Sequence, residues 1–208
     1  MSTSKEVYSL MFAGVGGQGS LLVAELTSIA ATHDGYDVKQ TEVHGVSQRG
    51  GSVETHVRFG EKVHSPIVTP GEAIALIALE KLEALRFAHF VDRVDGTILV
   101  NDFEIIPGSV TGAAESYPYD AIEYLRDQNL SIISLPATRI AHELGDGRMA
   151  NVVMIGALSK LLPIQASSWK KALKVRLPVR YLDSNLMAFA EGHRLVDHSS
   201  IGANKPIP

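Results

Sequence analysis

The chain has no cysteine, and that absence removes several chemistries at once. No disulfide, no thiolate-held iron–sulfur cluster and no thiol nucleophile can be built from its 208 residues. Any cluster it works with must sit on another chain. Long apolar runs are missing too: none reaches the roughly 18 residues of a membrane-spanning helix, and residues 1–6 carry one lysine and no apolar core of a signal peptide. Positive charge is scarce. The formal net charge is −4 and the isoelectric point about 6.0, whereas neutralising nucleic-acid phosphates takes a concentrated basic surface. The one basic cluster, residues 170–176, reads as the solvated face of a helix. These absences lead to the expectation of a cytoplasmic protein with neither a membrane nor a nucleic acid as partner.

What remains is material for a core. With 45% apolar and 20% charged residues, the chain can fold as one globular unit. That unit is expected over residues 1–195, with 196–208 as a tail that is mobile or held by a partner. Residues 7–13 are an apolar run, glycines follow, and residues 20–31 carry apolar side chains at helical spacing. Residues 36–43 form a second strand, so the chain opens as strand, tight turn, helix, strand. From Ser52 to Phe59 the pattern has period two, and Gly60-Glu61 is expected to turn it into residues 62–64 as a hairpin. Strands are expected at 74–78, 97–100 and 131–135, with helices after the first and before the last. Residues 104–120 are an irregular excursion. The final third is helical: 151–162, 168–175 capped by Ser167 or Ser168, and 178–191 with Pro178 in its first turn and Gly192 as its stop. The fold class is therefore α/β, a Rossmann-like open and mostly parallel sheet with an antiparallel hairpin and a helical C-terminal third.

Two glycine-bearing segments carry the chemistry. Gly14, Gly16 and Gly19 satisfy G-x-G-x-x-G between a strand and a helix, where glycines allow the turn and the close approach of a phosphate while the helix start favours an anion. A dinucleotide would also want an acid at the end of the second strand for its ribose, and only Glu42 comes near. A turn retained for packing, or for another ligand, explains the same glycines. The second segment, residues 42–51, frees the backbone around Ser47, Gln48 and Arg49 with Gly45, Gly50 and Gly51, presenting a rigid bidentate donor beside adaptable polar groups.

Other motifs fail on their own terms. Gly45 to Arg49 begins like a nucleophile elbow, but Arg49 stands where a glycine belongs. Gly145-Asp146-Gly147 begins like a thiamine-diphosphate turn, but no asparagine follows at suitable spacing, so it reads as a loop between helices. The eight histidines form no H-E-x-x-H, and His44, His56 and His64 lack a matched carboxylate set, so no metal site is expected.

Taken in order, G-V-G-G-Q-G at 14–19, G-Y-D-V-K at 35–39, E-V-H-G-V-S-Q-R-G-G-S-V-E-T-H-V-R at 42–58, S-P at 65–66, G-E-A at 71–73 and L-E-x-L-E-A-L-R at 79–86 resemble the gamma-type subunit of 2-oxoacid:acceptor oxidoreductases. Within that family the resemblance runs to the beta subunits of indolepyruvate ferredoxin oxidoreductases. It continues through Ile98-Leu99-Val100-Asn101 and residues 151–158, covering the chain to about Gly192. Ile74 departs from it, since the family would place an aspartate there.

The resemblance implies a complex that decarboxylates a 2-oxoacid on thiamine diphosphate, oxidises it to an acyl-CoA and passes electrons through iron–sulfur clusters to ferredoxin. This chain would be its non-redox subunit, inactive alone, with thiamine diphosphate, magnesium and clusters on a larger partner in a heterotetramer of two plus two. Coenzyme A would be a co-substrate, with Gly14, Gly16, Gly17, Gln18 and Gly19 receiving one of its phosphates. His44, Ser47, Gln48, Arg49 and Gly50 would line the junction with the partner or the substrate. No residue of this chain would be catalytic or bind metal. A related aryl 2-oxoacid enzyme of the phenylglyoxylate type, a free-standing NAD(P)-dependent dehydrogenase and a pure assembly module remain as alternatives.

Overall fold

The computed structural model describes residues 7–44, 50–106 and 117–196, with no side-chain placement for His44. The expectations for Ser47, Gln48 and Arg49, for most of the excursion after residue 104, and for the tail beyond residue 196 lie outside the described residues.

The apolar opening forms β1 (Tyr8–Val15), buried at every position but its ends. The glycine turn leads into α1 (Ser20–His33), then β2 (Asp37–His44) and β3 (Ser52–Gly60). Next come β4 (Ala75–Ala78), α2 (Lys81–Phe87), β5 (Thr97–Asn101), α3 (Ala121–Asp127), β6 (Ser131–Leu135) and α4 (Ala137–Glu143). The chain ends in α5 (Ala150–Leu158), α6 (Ala166–Arg176) and α7 (Leu182–Leu195). The six strands form one sheet in the order β2-β3-β1-β4-β5-β6. β1, β4, β5 and β6 pair in parallel, and β3 runs antiparallel to both β1 and β2. β4 and β5 are buried throughout, as parallel strands covered on both faces must be.

Two cores follow from the two faces. On one, α1 and α4 to α7 pack over Leu10, Phe12, Val57, Phe59, Ile77 and Leu99. On the other, α2 and α3 cover Met11, Ala13, Leu76, Ile98 and Val100. The alternation of neighbouring residues between the clusters is the period-two geometry of a strand. α5 has no polar face, because it lies between other elements, and every residue from Asn151 to Leu158 is buried.

Several local expectations need correcting. β3 does not turn into residues 62–64. It forms a hairpin with β2, Asp37 opposite Gly60, and inserts between β2 and β1, splitting the opening βαβ unit. After Gly60 the chain leaves the sheet and crosses its face: the Val63 amide donates to Asp37 Oδ2 at 2.9 Å, Arg58 Nη1 donates to the Ser65 and Ile67 carbonyls at 3.3 Å, and the Val68 amide donates to His56 Nδ1 at 3.0 Å.

At the C-terminal end, α6 starts earlier than expected, and neither Ser167 nor Ser168 is its N-cap. Gln165 holds that position, and Asp34 from the end of α1 accepts from the Gln165 amide and the Ser168 hydroxyl. Pro178 precedes a 3-10 turn, Val179–Tyr181, before α7 begins. Gly192 lies inside α7: a Cβ there would fall 1.8 Å from the Val153 carbonyl, as one on Gly156 would fall 2.1 Å from that of Phe189. The two glycines let α5 and α7 cross with their backbones in contact.

Candidate functional site

The chain leaves β1 toward the β3–β2 side through α1 on one face, and leaves β4 toward β5 through α2 on the other. That reversal is a topological switch point, where open α/β sheets bind ligands beyond the carboxyl ends of their strands. A cavity of about 620 Å³ opens there, within the size range of small-ligand sites. Its walls come from Gly17, Gln18 and Gly19 after β1, Leu79 after β4, Asn101 and Phe103 from the end of β5, and the connections around α4 and α5.

The glycine turn is built as follows. Gly17 and Gly19 have φ of +104° and +85°, the left-handed region that glycine enters without steric cost. The Gly16 amide donates to the Gly51 carbonyl at 2.8 Å and the Gln18 amide to Val15 at 3.0 Å. The Gln18 side chain folds back: its Oε1 accepts from the Val15 amide at 2.7 Å and its Nε2 donates to the Leu79 carbonyl at 3.1 Å. Of the five residues expected to receive a phosphate, Gly17, Gln18 and Gly19 line the cavity, whereas Gly14 sits in β1 behind Gln18 and Gly16 is bound to the neighbouring loop. An anion would meet the Gly17–Gly19 wall and the first amides of α1, which have no helical partner by position.

The two glycine-bearing segments meet. Besides the bond from Gly16 to Gly51, the Gly50 amide donates to the Gly16 carbonyl at 3.4 Å, with Gly50 at a φ of +73°. The end of the 44–51 segment is thereby fixed beside the glycine turn. Glu42 is not. β2 lies two strand spacings from β1, roughly 10 Å, because β3 stands between them. An acid there is displaced from the position beside β1 that a dinucleotide ribose requires, which counts against the nicotinamide reading.

The far wall holds residues that the sequence reading did not assign to the site, among them Asp146 and Gly147 of the turn read as a loop between helices. Asn101 Nδ2 donates to the Leu79 carbonyl at 3.2 Å and to Thr138 Oγ1 at 2.8 Å, and its Oδ1 accepts from the Thr138 amide at 3.2 Å, locking the end of β5 to the end of β4 and the start of α4. Asp146 accepts from Arg148 Nε at 3.0 Å and Nη2 at 2.6 Å. The Arg148 guanidinium and then its amide hold the Asp146 carboxyl down at about 2, so the pair is ionised at neutral pH. The His142 ring lies against Gly147, where a Cβ would come within 2.6 Å. Asn151 stands at the start of α5, over Gly19. A signal was present in the sequence: Asn101 follows the apolar run Ile98-Leu99-Val100 at the carboxyl end of its strand, where such folds keep binding residues.

Buried carboxylates shape the adjoining region. Glu80 accepts from the Glu83 amide at 3.1 Å, the Ile105 amide at 3.1 Å and the Tyr117 hydroxyl, and burial followed by the Glu80 bond pushes the Tyr117 phenol up. Glu83 accepts from the Ser52 hydroxyl, and burial raises its carboxyl above the ordinary value. Lys81 spans Asp102 at 2.6 Å and Glu104 at 2.9 Å.

A six-stranded α/β subunit with a ligand-sized cavity at its switch point is the class that fold and site define. The family profile described as pyruvate ferredoxin/flavodoxin oxidoreductase matches residues 9–195, and the chain belongs to that family. It is 35% identical to the indolepyruvate oxidoreductase subunit IorB of Thermococcus kodakarensis, over 89% of this chain and 94% of the relative, and 36% identical to that of Archaeoglobus fulgidus, over 89% and 93%. The fold matches the gamma subunit of a keto/oxoacid ferredoxin oxidoreductase from Geobacter sulfurreducens with a TM-score of 0.67 at 22% identity, over 90% of this chain and 97% of that one. It also matches 31% of the longer 2-oxoglutarate:ferredoxin oxidoreductase chain of Magnetococcus marinus, over 92% of this chain, with a TM-score of 0.70 at 20% identity. Among the described residues, no helix is long and apolar enough to cross a membrane.

Proposed function

We propose that the chain is the non-redox subunit of a thiamine-diphosphate-dependent 2-oxoacid:ferredoxin oxidoreductase of the indolepyruvate type, working in the cytoplasm beside a larger subunit. The observation that carries this reading is a match of 33–36% identity to four IorB subunits across 93–95% of their length. The donor set agrees with the division of labour. A chain without cysteine cannot ligate an iron–sulfur cluster through thiolates, so thiamine diphosphate, magnesium and clusters belong to the partner, as does the transfer to ferredoxin. The complex oxidatively decarboxylates an aryl 2-oxoacid to its acyl-CoA, and two copies of each subunit are expected. This chain's part is to place coenzyme A: Gly17, Gln18 and Gly19 offer one phosphate a backbone wall and the start of α1, while Gly50, bonded to that turn, is assigned to the junction with the partner.

The test is reconstitution. The chain purified alone is expected to show no 2-oxoacid oxidation, and addition of its co-encoded large subunit to restore it. Substantial oxidation by the isolated chain would overturn the assignment. Titration with NADH, followed by fluorescence, is expected to give no saturable signal, and tight binding would move the chain to the dehydrogenases.

A further inference from the structure

Residues 79–86, L-E-x-L-E-A-L-R in the sequence, place two carboxylates one turn apart at the start of α2, and the function proposed above gives neither a task. Both are buried, Glu80 at 1% exposed and Glu83 at 2%. The pair carries a cost: burial raises the Glu83 carboxyl above its ordinary value, and the nearby Glu80 charge adds to the rise. Apolar residues would fill this face of the sheet without that cost, so what the carboxylates add is the chain that their hydrogen bonds fix. Helix capping explains only one of the four oxygens, Glu80 Oε2, which accepts from the Glu83 amide at 3.1 Å.

Neither side chain lines the switch-point cavity, yet each holds residues that build a wall of it. Glu83 accepts from the Ser52 hydroxyl, and Arg86 Nε lies 3.4 Å from its other oxygen. Ser52 stands opposite Val15, the last residue of β1, and follows Gly51, whose carbonyl receives the Gly16 amide at 2.8 Å. The Ser52 bond thereby fixes the strand end against which the turn at residues 17–19 is built. Glu80 Oε1 accepts from the Ile105 amide at 3.1 Å and from the Tyr117 hydroxyl, while the Lys81 amide beside it donates to the Phe103 carbonyl at 3.1 Å. These bonds hold the chain just past β5, where Phe103 lines the cavity, and tie it to the approach to α3.

We infer that Glu80 and Glu83 are paired positioning residues for the cavity: Glu83 sets the glycine turn through Ser52, and Glu80 sets the Phe103 wall through Ile105 and Tyr117. Walls held before the ligand arrives spare it the cost of ordering them. Coenzyme A as the molecule they serve rests on the function proposed above, whereas the two wall assignments are properties of this chain alone.

Hydrogen exchange of the nitrogen-15-labelled full chain, read by NMR, separates the two arms. Glu83→Leu should speed exchange of the Gly16 amide by about ten-fold or more and leave Ile105 within about two-fold, and Glu80→Leu should do the opposite. Glu83→Gln and Glu80→Gln, which each keep an acceptor oxygen, should return the affected amide toward the native rate. If a leucine variant does not fold, Ser52→Ala decides for the first arm and Tyr117→Phe for the second, since both leave α2 untouched. Equal acceleration of the two amides, or none, overturns the inference. In the reconstituted complex the leucine variants should raise the apparent KM for coenzyme A by about five-fold or more with kcat within about two-fold, and the glutamine variants should recover KM. A KM unmoved in all of them removes the positioning role and leaves the assigned function standing. A native chain that reconstitutes no oxidation, but whose variants show the two-arm exchange pattern, does the reverse.

Discussion

Gln18 closes the glycine turn from inside. One side chain accepts from the end of β1 and donates to the residue that follows β4, so it stitches together the two parallel strands that flank the switch point. Gln18→Met keeps the bulk and removes both bonds, leaving the Val15 amide without its partner while the Leu79 carbonyl keeps only the bond from Asn101 Nδ2. The expected loss is about 1–3 kcal/mol, measured by urea denaturation, and a change within error would mean that water replaces the amide. The glycines around it separate by what surrounds them. Nothing lies within 4 Å of the place a Cβ on Gly17 would take, and its φ is +104°, so Gly17→Ala should cost only left-handed backbone strain, about 1–2 kcal/mol. Gly19→Ala adds the collision with Asn151 Nδ2 to the same strain and is expected to be the more damaging of the two in the same assay. Equal losses would show that Asn151 moves aside freely.

At the scale of elements, the seam between α5 and α7 governs the helical layer. Gly156 and Gly192 bring the two backbones together, so either glycine changed to alanine should force the helices apart and cost about 1–3 kcal/mol or more. The same seam carries a pH dependence. The Ser159 hydroxyl donates to the Gly156 carbonyl at 2.6 Å and therefore accepts from His193 Nδ1 at 2.8 Å. Burial, and then the Lys160 charge, hold the His193 imidazole below its ordinary value of 6.5. A histidine depressed by folding contributes stability that is fully present above its unfolded value and is lost as pH falls through the folded one. Melting temperature should thus decline as pH drops below about 6.5, and His193→Gln should lose part of that decline. An identical profile for the variant would place the acid sensitivity in the other histidines.

This seam also marks where reading the sequence stopped. β1, the turn, α1, α3, β5 and β6 were legible because each is specified by its own periodicity and its own breakers. Gly192 was legible only as a glycine: whether it ends a helix or admits a neighbour depends on Val153, 39 positions away in the chain. The partners of β3 failed for the same reason, since register is set by what lies across the sheet. Within the candidate site, Gly17 to Gly19 announced themselves through a local motif. Asn101 closes β5 whereas Arg148 and Asn151 come from the single stretch that joins α4 to α5, and only the sheet order brings the two places to one cavity.

For the whole molecule the telling property is how charge is divided along the chain. Residues 147–182 hold seven of the 19 Lys and Arg residues and none of the 23 Asp and Glu. α6 presents Lys170, Lys171 and Lys174 to solvent, and beyond it Arg180 stacks on the Tyr181 ring at 4.6 Å. Tyr181 lines the smaller cavity together with Arg148. A net-negative protein therefore carries a positive flank that runs toward the mouth of its site. Such a field raises the local concentration of an anionic ligand without touching it, and it fades as salt shortens the Debye length to about 8 Å at physiological ionic strength. The apparent KM of the reconstituted complex for coenzyme A, an anion, is accordingly expected to rise with sodium chloride. The triple change Lys170→Gln, Lys171→Gln, Lys174→Gln should flatten that dependence while leaving KM at high salt close to native, because the residues that line the cavity are untouched. A parallel rise in KM at every salt concentration would instead place those lysines in direct contact with coenzyme A, and an unchanged slope would show that the positive flank exerts no long-range attraction.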